Sequence, residues 1–135
     1  MRSQIFINLP VKDLEKSFNF YTKMGFTNNP QFSDESAKCM VFSEEILVML
    51  LTHERFKTFI TKPIADVSKT TSALLSISVE SLDKVNAISD NAVAAGGKEP
   101  VPAKDHGFMQ QRTIEDLDGH TWEIFYMDIS KFPQP

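Results

Sequence analysis

The residues best suited to chemistry lie near the end of the chain, in Glu115-Asp116-Leu117-Asp118-Gly119-His120-Thr121-Trp122-Glu123. Asp118-Gly119 is a strong turn signal, and it is followed by a strand candidate, Thr121 to Met127. Residues two apart on a strand share a face, so Glu123 stands with Thr121 and Phe125, while Trp122, Ile124 and Tyr126 face helices. A carboxylate walled by apolar groups is costly when charged unless it is paired. Glu123 is therefore a candidate general base, or a group that holds a cationic or hydroxyl-bearing ligand. The structural alternative is an ion pair with Arg112, or hydrogen bonds to Ser76 or Asn8. Arg112 is also a candidate for facing an anionic ligand, against the equally simple reading of a strand-surface position. His106 is a second candidate for proton transfer, at a cavity mouth, with Asp105 beside it. His53, His106 and His120 all fall at loops or turns, where a surface position is the simpler reading. Cys39 reads as a buried small hydrophobe, with no base partner or helix-terminal setting for nucleophilic work. Gly96-Gly97 lacks the spacing of a nucleotide-binding loop, and no serine has a nucleophile's strand-to-helix context.

Two strand–helix openings could position these residues. Ser3 to Leu9 reads as a strand closed by Pro10 and Asp13, and Asp13 can cap a helix over Leu14 to Met24 that ends at Gly25. An irregular strand, Phe26 to Phe32, precedes hairpin arms at Lys38 to Phe42 and Ile46 to Thr52. The pattern breaks over residues 53–70, a linker or a lid, with a helical turn at Arg55 to Ile60 stopped by Pro63. A strand at Thr71 to Val79 and a helix capped by Ser81 then repeat the opening. Strand candidates follow at Lys98 to Val101, Met109 to Glu115 and Thr121 to Met127. Val11 and Val79, Asp13 and Ser81, and Leu14 and Leu82 are each 68 positions apart. Each half is too small to bury a sheet face and a helix alone, so the two halves pack together around a cleft.

Composition narrows the function. The 135 residues are 41% apolar, with 11 Phe and 6 Met, which suits a core or cavity with soft, bulky walls. The net charge of -4 and the dispersed lysines argue against nucleic acid as a partner. One cysteine permits no intrachain disulfide and fits a reducing cytoplasm. No stretch approaches the roughly 18–20 apolar residues of a membrane span.

The chain resembles the glyoxalase/bleomycin-resistance/dioxygenase family, or vicinal oxygen chelate superfamily. The opening Asn8-Leu9-Pro10-Val11-Lys12-Asp13-Leu14-Glu15-Lys16-Ser17, with Phe20-Tyr21 and Gly25-Phe26, carries one end of the resemblance. The closing segment Glu115 to Glu123 carries the other. The resemblance implies an α+β fold of paired βαβββ modules, with curved mixed sheets around a cleft, and a homodimer. The expected layout is one domain over 1–135: module 1–52, connecting or lid segment 53–70, module 71–128 and tail 129–135.

In metal-dependent relatives, four inward side chains from the first and last strands of each module hold a divalent ion. Carried onto this chain, those positions fall at Phe6, Leu50 (or Met49), Leu74 and Glu123. Only Glu123 is a ligand-type residue, and one carboxylate among Phe and Leu makes a weak metal site. No metal or other cofactor is therefore expected. Strand alternation adds Asn8, Ser76, Thr121 and Phe125 to an apolar chamber with some hydrogen-bonding groups, and Met40 and Phe42 complete one wall. The expected function is metal-independent binding or sequestration of a small molecule. One alternative is a lyase- or isomerase-like enzyme with Glu123 as base and Asn8, Ser76 or Arg112 stabilising developing charge. Another is a structural homodimer with no small ligand.

Overall fold

Two side chains start the two main helices. Asp13 accepts the Lys16 N–H at the head of α1 (Leu14–Met24), and Ser81 accepts the Lys84 N–H at the head of α3 (Leu82–Ala94). Gly25, at φ 124°, ends α1 by returning its N–H to the Tyr21 and Thr22 carbonyls. The computed structural model describes residues 2–132, so the last three residues of the expected tail lie outside the described residues.

Each helix packs on one face of its own mixed sheet. The first sheet contains β1 (Ile5–Val11), β2 (Thr27–Asn29), β3 (Ala37–Val41) and β4 (Ile46–Thr52), in the order β1-β4-β3-β2. The short helix α2 (His53–Lys57) follows it. The second sheet contains β5 (Leu74–Ser78), β6 (Lys104–Asp105), β7 (Met109–Glu115) and β8 (Thr121–Met127), in the order β5-β8-β7-β6. In both sheets the outer strand, β1 or β5, runs parallel to its neighbour, and the remaining pairs are antiparallel. The fold is thus the expected α+β arrangement of two open, four-stranded mixed sheets. Among the described residues no helix is long and apolar enough to cross a membrane.

Prolines account for three departures from the expected elements. Pro10 lies inside β1 rather than closing it, because β1 is an edge strand and its missing N–H faces the open side. Pro30 opens a 3-10 turn over Pro30–Phe32, which shortens the second strand to three residues. Lys98 to Val101 makes only a single bridge, Lys98 to Glu115, and the paired strand comes later, at Lys104–Asp105. Pro100 and Pro102 remove the donors that a ladder there would need.

The two modules are joined through the closing segment. The Asp116 carboxylate accepts the backbone N–H groups of Asp118, Gly119 and His120 on one oxygen, at 2.8–3.0 Å. Its other oxygen accepts the Tyr21 hydroxyl of α1 at 2.6 Å, and Trp122 Nε1 donates to that same hydroxyl at 2.9 Å. His120 Nε2 meets the Pro10 carbonyl at 2.8 Å, and Asp118 accepts the Lys12 N–H at 2.9 Å. His120 is therefore buried, not a surface histidine. Tyr21, Phe20, Phe26 and Trp122 pack edge to face around this latch. With Val85, Ile88 and Ile124 they form one core shared by both modules.

Burial raises the Asp116 carboxyl above its ordinary range, opposed by His120 and by the hydrogen bonds it accepts. Asp116→Asn puts an N–H₂ against a Tyr21 hydroxyl that already accepts from Trp122, so the hydroxyl proton loses its acceptor. The expected loss is about 1–3 kcal/mol of unfolding free energy, read by urea denaturation. Burial, followed by the neighbouring Asp116 charge, raises the Tyr21 phenol well above 10.0. Below that ordinary value both folded and unfolded chains keep the proton and the stabilisation is complete. Above it the unfolded chain ionises first, so stability falls as pH rises. In a Tyr126→Phe background, phenolate absorbance should appear only in step with loss of the near-ultraviolet circular dichroism of the fold.

Candidate functional site

The sheet faces turned away from the helices hold most of the expected site. Odd-numbered residues of β1 (Ile7, Leu9, Val11) enter the helix-side core, which leaves Phe6 and Asn8 on the opposite face, with Phe6 43% exposed. On the second sheet Ile77, Trp122 and Ile124 enter the core, which leaves Leu74, Ser76, Glu123 and Phe125 facing away from it. The register pairs Ser76 with Glu123 and Asn8 with Met49.

Four expected lining residues are not on those faces. Leu50 and Met40 are fully buried against the helices, and Phe42 packs against the same core. Ile46-Leu47-Val48-Met49-Leu50-Leu51 is buried on both faces, so its sequence carries no alternation from which a face could be read. Pairing with β1 decides the matter and puts Met49, the one-residue alternative, beside Asn8. Arg112 is the fourth. It pairs across the ladder with Ile124, on the helix side, and reaches Glu99, Asp90 and Asn86. The Glu99 hydrogen bonds, then Asp90, raise its pKa further, and its side chain is only 14% exposed.

Glu123 accepts the Ser76 hydroxyl at 2.7 Å on one oxygen and Gln111 Nε2 at 3.0 Å on the other. Ser76 is one of the partners expected from the sequence, and Gln111 was not foreseen. Asn8 is engaged elsewhere, donating to the Phe6 carbonyl at 3.2 Å. His106 lies exposed in the loop before β7. Asp105 does not orient its ring, because that carboxylate accepts Gly107 N–H and Gln110 Nε2. Cys39 is buried, and burial pushes its thiol up, away from nucleophilic use.

A crevice of about 240 Å³ opens where the two modules meet. Asn8 and Pro10 of β1, Ser72 and Ala73 before β5, and His120 and Thr121 at the start of β8 form its floor and walls. Phe56 of α2 and Val67 of the connecting segment form its roof. Asn8 and Phe56 also line an adjoining hollow of about 480 Å³ with Leu51, Phe59 and Ile60. The roof is fixed by an Asp66 turn, in which Ser68 donates twice to the Asp66 side chain and Thr70 to its carbonyl. The Ser68 hydrogen bonds lower the Asp66 pKa. Phe56 and Val67 were missed as lining residues because residues 53–70 have no strand alternation, although the apolar Phe56, Phe59 and Ile60 within a polar stretch were a usable signal.

An open pair of βαβββ sheets with a roofed crevice at their joint defines a class of small α+β domains. The family model of the Glyoxalase/Bleomycin resistance protein/Dioxygenase superfamily matches residues 4–124, and the chain belongs to that superfamily. Among solved structures, a hypothetical protein from S. aureus is 24% identical, with TM-score 0.76, over 93% of this chain and 95% of that one. A glyoxalase-related enzyme from Fulvimarina pelagi is 22% identical, with TM-score 0.76, over 93% and 88%. The fosfomycin resistance protein FosX from Listeria monocytogenes is 15% identical, with TM-score 0.67, over 97% and 98%. These likenesses show a shared fold. No curated protein matches the chain.

The superfamily's metal does not fit the donors present. Glu123 shares its row with Ser76, and the equivalent row of the first sheet holds Asn8 and Met49. Among the described residues no three His, Cys, Asp or Glu side chains converge. One carboxylate, already held by two neutral donors, is a poor match for a divalent ion.

The roof rests on Gly119. A Cβ there would lie 2.6 Å from the Val67 carbonyl oxygen, and the backbone φ of 105° disfavours any side chain. Gly119→Ala should cost at least about 1 kcal/mol and lift the roof. Hydrogen exchange should then quicken at residues 66–70 more than at β3, which is remote from the contact.

Proposed function

We propose that the chain binds or sequesters a small molecule in the crevice between its modules, without a metal, as a cytoplasmic homodimer. The observation that carries this reading is the roofed, mainly apolar crevice beside a row that offers one carboxylate. A concave site with apolar walls and a few fixed polar groups is the usual form of a small-molecule site. The lone, buried Cys39 is compatible with a reducing compartment. Phe6 and Leu74, 43% and 57% exposed on the faces turned from the helices, offer apolar surface to a second subunit.

Glu123 supports a second reading, a lyase- or isomerase-like enzyme. The Ser76 hydroxyl and Gln111 amide fix both carboxylate oxygens, a geometry suited to a positioned general base. Asn8 and Ser76 would then stabilise developing charge. Arg112 has no part in this reading, since it lies on the far side of the sheet.

A metabolite-sized library screened by calorimetry, with chelator and then with Ni, Zn, Mn or Fe(II), separates these readings. The expected result is saturable binding that is indifferent to metal, weakened at least about tenfold by Phe56→Ala, with the ligand recovered intact. Consumption of the ligand that stops in Glu123→Gln would replace binding with catalysis. Stoichiometric metal retained by the wild type and lost in Glu123→Gln would sink the metal-free reading.

A further inference from the structure

The crevice is lined by Ile7, Asn8, Leu9 and Pro10 in succession. Side chains of successive strand residues point to opposite faces, so a crevice touching all four runs along the strand's edge, against its backbone. β1 and β5 are the outer strands of their sheets. Among the described residues no backbone hydrogen bond links one to the other. The open edge of β1 therefore turns backbone donors and acceptors into the crevice, which β5 borders through Leu75.

The phase of β1 identifies which groups these are. Ile5 N–H donates to the Glu45 carbonyl, so odd-numbered residues of β1 turn toward β4. The Pro10 carbonyl meets His120 and the Phe6 carbonyl meets the Asn8 side chain, so even-numbered residues turn to the open edge. Between these two satisfied carbonyls lie the backbone N–H and C=O of Asn8. A residue's N–H and C=O point to the same side of a strand, so Asn8 presents an adjacent donor and acceptor. β5 has the same arrangement: Val79 N–H donates to the Phe125 carbonyl, which leaves Leu74 on the outward phase.

No aspartate, glutamate, lysine or arginine lines this crevice. His120 is the one ionisable side chain in that lining and its Nε2 is taken up by the Pro10 carbonyl, so a charged ligand would lose its hydration there without a carboxylate, ammonium or guanidinium to pair with. The crevice itself, at about 240 Å³, falls below the roughly 300–1,000 Å³ usual for ligand pockets, so the part of the occupant seated beside β1 is small. We propose that the crevice takes a small, uncharged molecule carrying an amide-type donor–acceptor pair, which meets the backbone N–H and C=O of Asn8 beneath Phe56 and Val67. This rests on the crevice being the ligand site and adds the chemical class that it selects.

Benzamide, benzoate and benzylammonium are near-isosteric probes that differ in charge. Titration of the isotopically labelled full chain, followed by amide chemical shifts, should show benzamide moving Asn8, Leu9 and Leu75, which line the crevice. Its affinity should exceed that of either ion at least about tenfold. Ala73→Trp, which fills the floor, should abolish these shifts. Ala65→Trp, at a residue of the connecting segment that also lines the crevice, does the same should the first variant fail to fold. Equal binding of benzoate or benzylammonium at the same amides would overturn the selection for neutral ligands while leaving the crevice as the site. Benzamide shifts that appear only away from β1 and β5 would overturn the backbone docking. If the library ligand also survives Ala73→Trp or Ala65→Trp unchanged, the crevice reading falls with it.

Discussion

The buried Asp116 carboxylate is the constraint on which the rest of the structure depends. It gathers three backbone N–H groups of its own turn and the Tyr21 hydroxyl of the other module. A buried charge is tolerated only when its lone pairs are satisfied, and these donors meet that condition only when the modules are docked. Trp122 and His120 extend the same contact to the Tyr21 hydroxyl and the Pro10 carbonyl. The closing segment that carries the family resemblance is thus used, in this chain, mainly as an inter-module joint. Glu123 is turned away from that joint, on the outer face that the register also gives to Glu115.

The joint also creates the crevice. Fusing α1 and α3 into a single core fixes the helix sides of both sheets and leaves the outer strands β1 and β5 bordering one crevice without a ladder between them. Unpaired strand edges invite another chain, and proteins commonly protect them by covering. Here the connecting segment covers the gap, seated on Gly119, and a small, mainly apolar space remains beneath it. Binding capacity in this reading follows from how the modules are joined rather than from a constellation of reactive side chains.

Charge is partitioned by the same architecture. Arg112 and Glu123 are both β-strand residues near the end of the chain, but they occupy opposite faces of the second sheet. Arg112 ties β7 to α3 and to Glu99. Glu123 is left to neutral partners on the outer face. Had the two paired, the outer face would have carried a neutralised ion pair in place of a single carboxylate positioned by hydroxyl and amide donors.

The sequence by itself determined the helices, their caps and most strands, because these depend on local periodicity and on single side chains such as Asp13 and Ser81. It also determined the pairing of two similar halves and the faces of strands with one polar side, such as Thr121–Met127, where Trp122, Ile124 and Tyr126 turn to the helices. It could not assign Leu50, because β4 is apolar on both faces and only its pairing with β1 sets the phase. It misplaced His120 and Arg112, whose partners, Pro10 and Asp90, lie 110 and 22 residues away. It gave no direct sight of a crevice built from two strand edges and a roof, since backbone edges leave no side-chain signature. Those features were decided by tertiary structure, because docking the modules brings into contact groups whose separation along the chain carries no local trace.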